Sequence, residues 1–289
     1  MINYKKPKIV AEIGCNHKGE IEVAKQLICK AKECGADVAK FQKRSIKNLL
    51  SEEQYNMPHP NPYNSYGKTY GEHREYLEFN IFQHSELKQF CEQIGIEYST
   101  SVWDLPSAIE IISIKPKFIK VPSASNINFD LLKILRDNFN GEVHISTGMT
   151  TKAEEEAFVK FFEQTHQSHR LVVYSCTSGY PVPFEDICLL EISRLRSTYT
   201  NRINALGFSG HHLGIAIDIA AYTLGAEIIE RHFTLDRTWK GTDHAASLEP
   251  DGLKKLVRNL EATHLALTVK KEEILEIEKV QRNKLKYKS

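Results

Sequence analysis

The chain has 289 residues and a formal net charge of +1, from 38 Lys+Arg against 37 Asp+Glu, so it lacks the dominant basic field that a nucleic-acid or acidic-membrane partner requires. Hydrophobic residues make up 41% of it, enough for one large α/β domain, and no apolar run approaches the roughly 20 residues that span a bilayer. The N-terminus carries no signal-peptide pattern, and a cytoplasmic protein is expected.

In chain order, β-branched runs predict strands at Lys8–Ile13, Asp37–Gln42, Glu97–Thr100, Phe118–Val121, Glu142–Ser146, Leu171–Ser175, Ala205–Ser209 and Glu227–His232. Amphipathic stretches lie between them at Glu20–Glu33, Ser85–Gln93, Leu105–Ile112, Phe129–Arg136, Lys152–Gln164, Ile215–Leu224 and Gly252–Val269. Their apolar residues recur every three or four positions, as at Leu253, Leu256, Leu260 and Leu267. Eight such units predict a (β/α)8 TIM barrel over 1–269. The competing fold is an open doubly wound sheet, but no Gly-rich dinucleotide loop opens the first unit. A Pro-, Asn- and Tyr-rich insertion at 43–82 follows the second strand and is expected on the catalytic face as a wall or lid. A charged tail occupies 270–289. The six cysteines include no C-x-x-C pair, and free thiols are expected, with Cys176 packing near the strand ends.

Side chains alternate along a strand, so Glu12, Lys40, Gln42, Lys120, Ser146 and Glu230 should point into the barrel near its C-terminal end. A purely structural interior would be aliphatic. Lysines are almost never buried alone, and Lys40 and Lys120 converge with the hydroxyls of Thr100, Ser123, Ser146 and Ser209 into an expected anion site suited to phosphate. Ser209-Gly210 is expected to open a helix whose N–H groups add to it. His211 and His232 stand at the ends of consecutive strands, where a pair of imidazoles suits a divalent transition metal. His17, His212 and His244 are expected in supporting or structural roles.

Several segments resemble the sialic acid (N-acetylneuraminate) synthase family: Ala11-Glu-Ile-Gly-Cys-Asn-His17, Ala39-Lys-Phe-Gln-Lys43, Tyr66-Gly-Lys-Thr-Tyr-Gly-Glu-His73, Ser146-Thr-Gly-Met149, Cys176-Thr-Ser-Gly-Tyr-Pro-Val-Pro183 and Trp239-Lys-Gly-Thr-Asp-His-Ala-Ala-Ser-Leu-Glu-Pro250. The resemblance implies a barrel enzyme that condenses phosphoenolpyruvate with an open-chain N-acylated hexosamine, N-acetylmannosamine or a related sugar with or without a 6-phosphate. The product would be a 3-deoxy-2-keto nonulosonic acid, with release of phosphate. It assigns Lys40, Thr100, Lys120, Ser123, Ser146, Ser178 and Ser209 to phosphoenolpyruvate, and Glu12, Gln42, Tyr180 and Asp243 to the sugar or the reacting centre. His211 and His232 become ligands of manganese, with magnesium or cobalt as alternatives, and a homodimer is implied. Glu12 is the expected proton-moving carboxylate.

The chain departs from that pattern in three places. Ser125 stands where the family carries an acceptor-binding carboxylate, the position of Ser178 is variable in the family, and an antifreeze-like domain after the barrel is not expected within this sequence. Cover for the acceptor pocket would then come from a separate polypeptide or from the insertion. Two other readings compete: a Schiff-base pyruvate aldolase using Lys120 or Lys40, and a non-catalytic sugar-binding or partner subunit.

Overall fold

The computed structural model describes residues 2–287; positions 1, 288 and 289, the last two belonging to the expected tail, lie outside the described residues. Eight parallel strands close a barrel in sequence order, β1 (Lys8–Glu12), β2 (Val38–Lys43), β3 (Glu97–Val102), β4 (Phe118–Val121), β5 (Glu142–Ser146), β6 (Leu171–Cys176), β7 (Ala205–Gly210) and β8 (Ile228–His232), with β8 returning to pair with β1. This is the expected (β/α)8 barrel; an open sheet is excluded by that last pairing.

The helices are α1 (Ile21–Glu33), α2 (Ile46–Leu49), α3 (Glu52–Asn56), α4 (Tyr70–Tyr76), α5 (Ile81–Ile94), α6 (Leu105–Ser113), α7 (Phe129–Asn138), α8 (Lys152–Glu163), α9 (Glu191–Tyr199), α10 (Ala216–Thr223), α11 (Pro250–Ala266) and α12 (Glu276–Leu285). Local chemistry sets several of their starts. Thr69 with Glu72, Asn80 with Gln83 and Thr151 with Glu154 form reciprocal capping boxes at α4, α5 and α8. Asp104 caps α6, which has a proline in its first turn. The expected helices shift by a few residues at their ends, and α9 adds a helix between β6 and β7 that turns Ile192, Leu195 and Tyr199 inward.

Two apolar shells lie between strands and helices, centred on residues such as Leu27, Phe41 and Leu253 in one and Leu132, Phe158 and Val173 in the other. A smaller plug of Val10, Val38, Phe118, Val172, Tyr174 and Ile228 fills the barrel interior. His144 stacks on Phe118 with ring centroids 4.0 Å apart and shares a 2.9 Å hydrogen bond with the Tyr174 hydroxyl. The polar layer at the mouth stands above this plug.

The insertion is not featureless. It carries α2, α3 and α4, and it meets the loop after β8, where the Tyr66 hydroxyl donates to the Lys240 carbonyl and the Gly241 amide donates to Asn64 Oδ1 at 3.4 Å. Residues 276–285 of the charged tail form α12.

Burial pulls His17 and His84 from the ordinary 6.5 down to about 3 and His144 to about 4. All three are at most 2% exposed and neutral in the fold. The unfolded chain protonates them below 6.5, so it binds more protons than the native state, and stability falls as the pH drops toward 4. Each histidine contributes up to about 1.4 kcal/mol per pH unit over that window. Denaturant unfolding at pH 7 and pH 5 should therefore differ by several kcal/mol; equal midpoints would contradict the buried-neutral assignment.

Candidate active site

The strands end at a cavity of about 350 Å³ on the C-terminal face. Its floor is ionic. Glu12, Lys40, Lys120 and Glu230 all line it and are each at most 5% exposed. Register explains the meeting: Glu12 pairs with Lys40 across β1 and β2 and with His232 across β1 and β8, while Ser209 pairs with Glu230 across β7 and β8. Residues opposite one another in a parallel ladder point to the same face.

Lys40 forms an ion pair with Glu12 and donates to Ser101 Oγ at 2.8 Å. Lys120 Nζ lies 2.6 Å from Glu230 Oε1, 3.4 Å from Ser209 Oγ and 4.4 Å from the Tyr174 ring centroid. Gln42 Nε2 donates to Glu12 Oε1 at 3.0 Å. Burial would raise the Glu230 pKa, but the ammonium groups of Lys120 and Lys40 outweigh it and hold the carboxyl below its ordinary range. The expected anion site thus differs in balance from its sequence reading: each lysine has a carboxylate beside it. Buried charges require such partners.

Around this floor stand Ser123, Ser146, Ser178 and Ser209. The Ser146 hydroxyl is buried without a hydrogen-bond partner. Gly148 permits the crowding, because a Cβ there would sit 2.3 Å from Ser178 Oγ and 2.7 Å from Ser123 Oγ. Cys176 also lines the cavity, and burial pushes its thiol pKa up, in keeping with a packing role. The lip is apolar, with Trp103, Ala124, Met149 and Tyr180.

His211 and His232 face each other with ring centroids 5.4 Å apart, and Tyr180 packs on both. His211 shares a 3.0 Å hydrogen bond between Nδ1 and the Thr177 carbonyl. With Nδ1 as the donor in that bond, Nε2 keeps its lone pair. Burial and the neighbouring His232 lower the His211 pKa to about 3 and keep the ring neutral. His232 Nδ1 is buried without a hydrogen-bond partner and stands 3.8 Å from Asp243 Oδ2. Burial would raise the Asp243 pKa, but His232, Thr242, Arg74 and Arg44 bring it below the usual value. Among the described residues no group of three or more His, Cys, Asp or Glu is placed to hold a metal. A neutral, oriented His211 facing His232, whose ring nitrogen is unmet, nevertheless fits a divalent ion that takes its remaining ligands from water or substrate.

The His211 loop is anchored from outside the barrel. Arg231, on the outer face of β8, donates to Asp218 Oδ2 at 2.5 Å, to the Gly214 carbonyl at 2.8 Å and to the His212 carbonyl at 2.6 Å. His17 stacks on Phe79 at 4.1 Å and His244 bonds Thr234 Oγ1 at 2.7 Å, so the supporting histidines are buried packing groups.

Three expected placements are corrected. Thr100 pairs with Phe41, faces the helices, and contacts the Ser101 carbonyl through its hydroxyl. The strand runs on to Val102, so the inward residue is Ser101, which the one-residue shift of face had hidden. Ser125 donates to the Trp103 carbonyl at 2.8 Å and does not line the cavity. Ser209 opens no helix: β7 continues to Gly210 and α10 begins at Ala216. Glu230 shares its alternation with His232, and that alternation was the signal for its place in the site. Ser101→Ala should weaken saturation by an anionic substrate about tenfold, while Thr100→Ser should leave it within about twofold. Steady-state kinetics on both would invert the assignment if Thr100→Ser proved the worse.

A closed parallel barrel with a buried lysine–glutamate floor and paired imidazoles at its C-terminal mouth defines a TIM-barrel enzyme working on a small anionic substrate. Comparison with known proteins narrows the class. The chain belongs to the NeuB family, whose model matches residues 27–272. It is 38% identical over 277 residues to the N-acetylneuraminate-9-phosphate synthase of Homo sapiens, covering 96% of this chain and 76% of that protein. It is 33% identical over 264 residues to the N,N'-diacetyllegionaminic acid synthase of Campylobacter jejuni, covering 91% and 78%. The crystal structure of the N-acetylneuraminic acid (sialic acid) synthetase of Leptospira borgpetersenii, in complex with citrate, superposes with a TM-score of 0.82 at 28% identity, covering 98% of this chain and 94% of that one.

Proposed function

We propose that this chain is a phosphoenolpyruvate-dependent nonulosonate synthase, joining C3 of phosphoenolpyruvate to the aldehyde carbon of an open-chain N-acylated hexosamine. Water adds at C2 of the adduct, the C2–O bond to phosphate breaks, and a 3-deoxy-2-keto acid and inorganic phosphate leave. Membership of a family whose relatives bear nonulosonic acid synthase names carries this reading, and the ionic floor supports it. The same membership weighs against the aldolase and the non-catalytic subunit.

Lys40 and Lys120 would hold the phosphate and carboxylate of phosphoenolpyruvate, with Ser101, Ser123, Ser146, Ser178 and Ser209 as neutral donors. As the carbon–carbon bond forms, negative charge builds on the aldehyde oxygen and positive charge on C2; fixed hydrogen-bond donors stabilise the first, and the carboxylates beside the lysines stabilise the second. Glu12, next to Lys40 and Gln42, would move a proton between the attacking water and the sugar oxygen. Gln42, Tyr180 and Asp243 would orient the acceptor. His211 and His232 would hold a divalent ion, manganese by preference, and when bound that ion supplies Lewis-acid polarisation of the aldehyde.

No described helix is long and apolar enough to cross a membrane, and we assign the enzyme to the cytoplasm. A homodimer, with the acceptor pocket covered by the insertion or by a separate antifreeze-like polypeptide, completes the proposal.

The test is phosphate release from phosphoenolpyruvate with manganese over a panel of N-acetylmannosamine, its 6-phosphate and diacylamino dideoxyhexoses, with the product mass measured. Release with no member of the panel would overturn the proposal, and covalent trapping of a lysine by borohydride with pyruvate would replace it with the aldolase.

A further inference from the structure

The floor of the cavity contains two lysines and two glutamates, so it is formally neutral. A site built only to grip a dianionic phosphate would leave its ammonium groups unmatched. Glu12 accounts for Lys40 alone. Among the described residues Glu230 is the carboxylate that reaches both lysines, with Oε1 2.6 Å from Lys120 Nζ and Oε2 3.8 Å from Lys40 Nζ. Its Oε1 also accepts from Ser209 Oγ at 3.1 Å, while its Oε2 is buried without a hydrogen-bond partner. β8 supplies this carboxylate from the inward face, and its side chain is 6% exposed.

We propose that Glu230 is a positioning residue for the phosphoenolpyruvate site, holding the two lysine ammonium groups in register and limiting how tightly they grip the bound dianion. The inference rests on the reading above that this floor receives phosphoenolpyruvate. The physical logic is differential binding. An anion gripped equally hard before and during reaction gains affinity without speed. A carboxylate fixed beside two ammonium groups weakens the ground-state hold, and it keeps the lysines from swinging toward whichever anionic group of the substrate arrives first. It also opposes retention of the phosphate that the reaction releases.

This account predicts opposite movements of affinity and turnover. Glu230→Gln removes one negative charge from a buried site and keeps the shape. Phosphoenolpyruvate should then bind roughly tenfold tighter by calorimetric titration, while kcat falls at least about tenfold. Glu230→Asp keeps the charge but shortens the reach, so its affinity should stay within about threefold of wild type while kcat falls. Ser209→Ala removes the hydrogen bond to Glu230 and also a donor assigned to the substrate, so turnover should fall as in the aspartate variant while phosphoenolpyruvate binding weakens about tenfold. Should Glu230→Gln fail to fold, the aspartate and Ser209 variants decide the matter.

Equal or weaker phosphoenolpyruvate binding by a folded Glu230→Gln protein would overturn the inference. So would aspartate and Ser209 variants with wild-type turnover. Wild-type protein that binds no phosphoenolpyruvate would remove the reading of the site, and this inference with it. Wild-type protein that binds and turns over, beside variants that move neither quantity, would remove the inference alone.

Discussion

Lys120→Met is expected to lower turnover by at least about a thousandfold, since it deletes a buried cation aimed at the phosphate of the substrate. The same change should destabilise the fold by about 3–5 kcal/mol, because buried Glu230 would be left with its 2.6 Å partner gone. Without that ammonium less opposes the effect of burial, and the Glu230 carboxyl moves up. The double variant Lys120→Met/Glu230→Gln separates the two effects. It should recover much of the lost stability in denaturant unfolding and none of the lost turnover. A single variant that is as stable as wild type would show that the pair is solvated in solution. Recovery of activity in the double variant would show that the lysine serves only as the partner of Glu230.

The second large effect concerns the imidazole pair. His211→Ala and His232→Ala should each cut turnover by about a hundred- to ten-thousandfold, and each should reduce the manganese bound per chain. Elemental analysis after dialysis against manganese reads the second quantity without reference to activity. Chelation of wild-type protein should silence it, and manganese should restore it. Substitution of Asp243, 3.8 Å from His232, should weaken metal retention less than loss of either histidine, by about ten- to a hundredfold, as for groups that orient a ligand. Full metal content in both histidine variants would refute the assignment. So would turnover that is indifferent to chelation.

Much of the barrel could be read from local pattern. Short β-branched runs alternating with period-3.6 segments place all eight strands to within two residues, since burying both faces of a strand and one stripe of a helix imposes those patterns on composition. The alternation that puts Lys40 beside Gln42, and Glu230 beside His232, likewise needs only a strand. Thr100 shows where this fails. The third strand is rich in small hydroxyls, Ser99, Thr100 and Ser101, and any of them satisfies either face. Composition therefore carries no phase, and the pairing with Phe41 on β2 sets it instead. The helix expected at Ser209 fails for a related reason. A Gly-His-His-Leu-Gly run is a credible helix entry until Arg231, from the neighbouring strand, captures the His212 and Gly214 carbonyls and holds the loop open.

The sequence by itself determined the repeating architecture, the two lysines, the two histidines and the family, because these depend on residue types at short or recurring separations. Only the tertiary structure decided that each lysine has a carboxylate beside it, that Ser101 rather than Thr100 faces the cavity, and that Ser125 turns toward Trp103. Those facts are set by closure of the sheet, which brings β1 against β8 and Lys120 against Glu230 across 110 positions of chain. Pairings over such distances leave no periodic trace in the chain, since they are selected by mutual burial and charge compensation once the ring has formed.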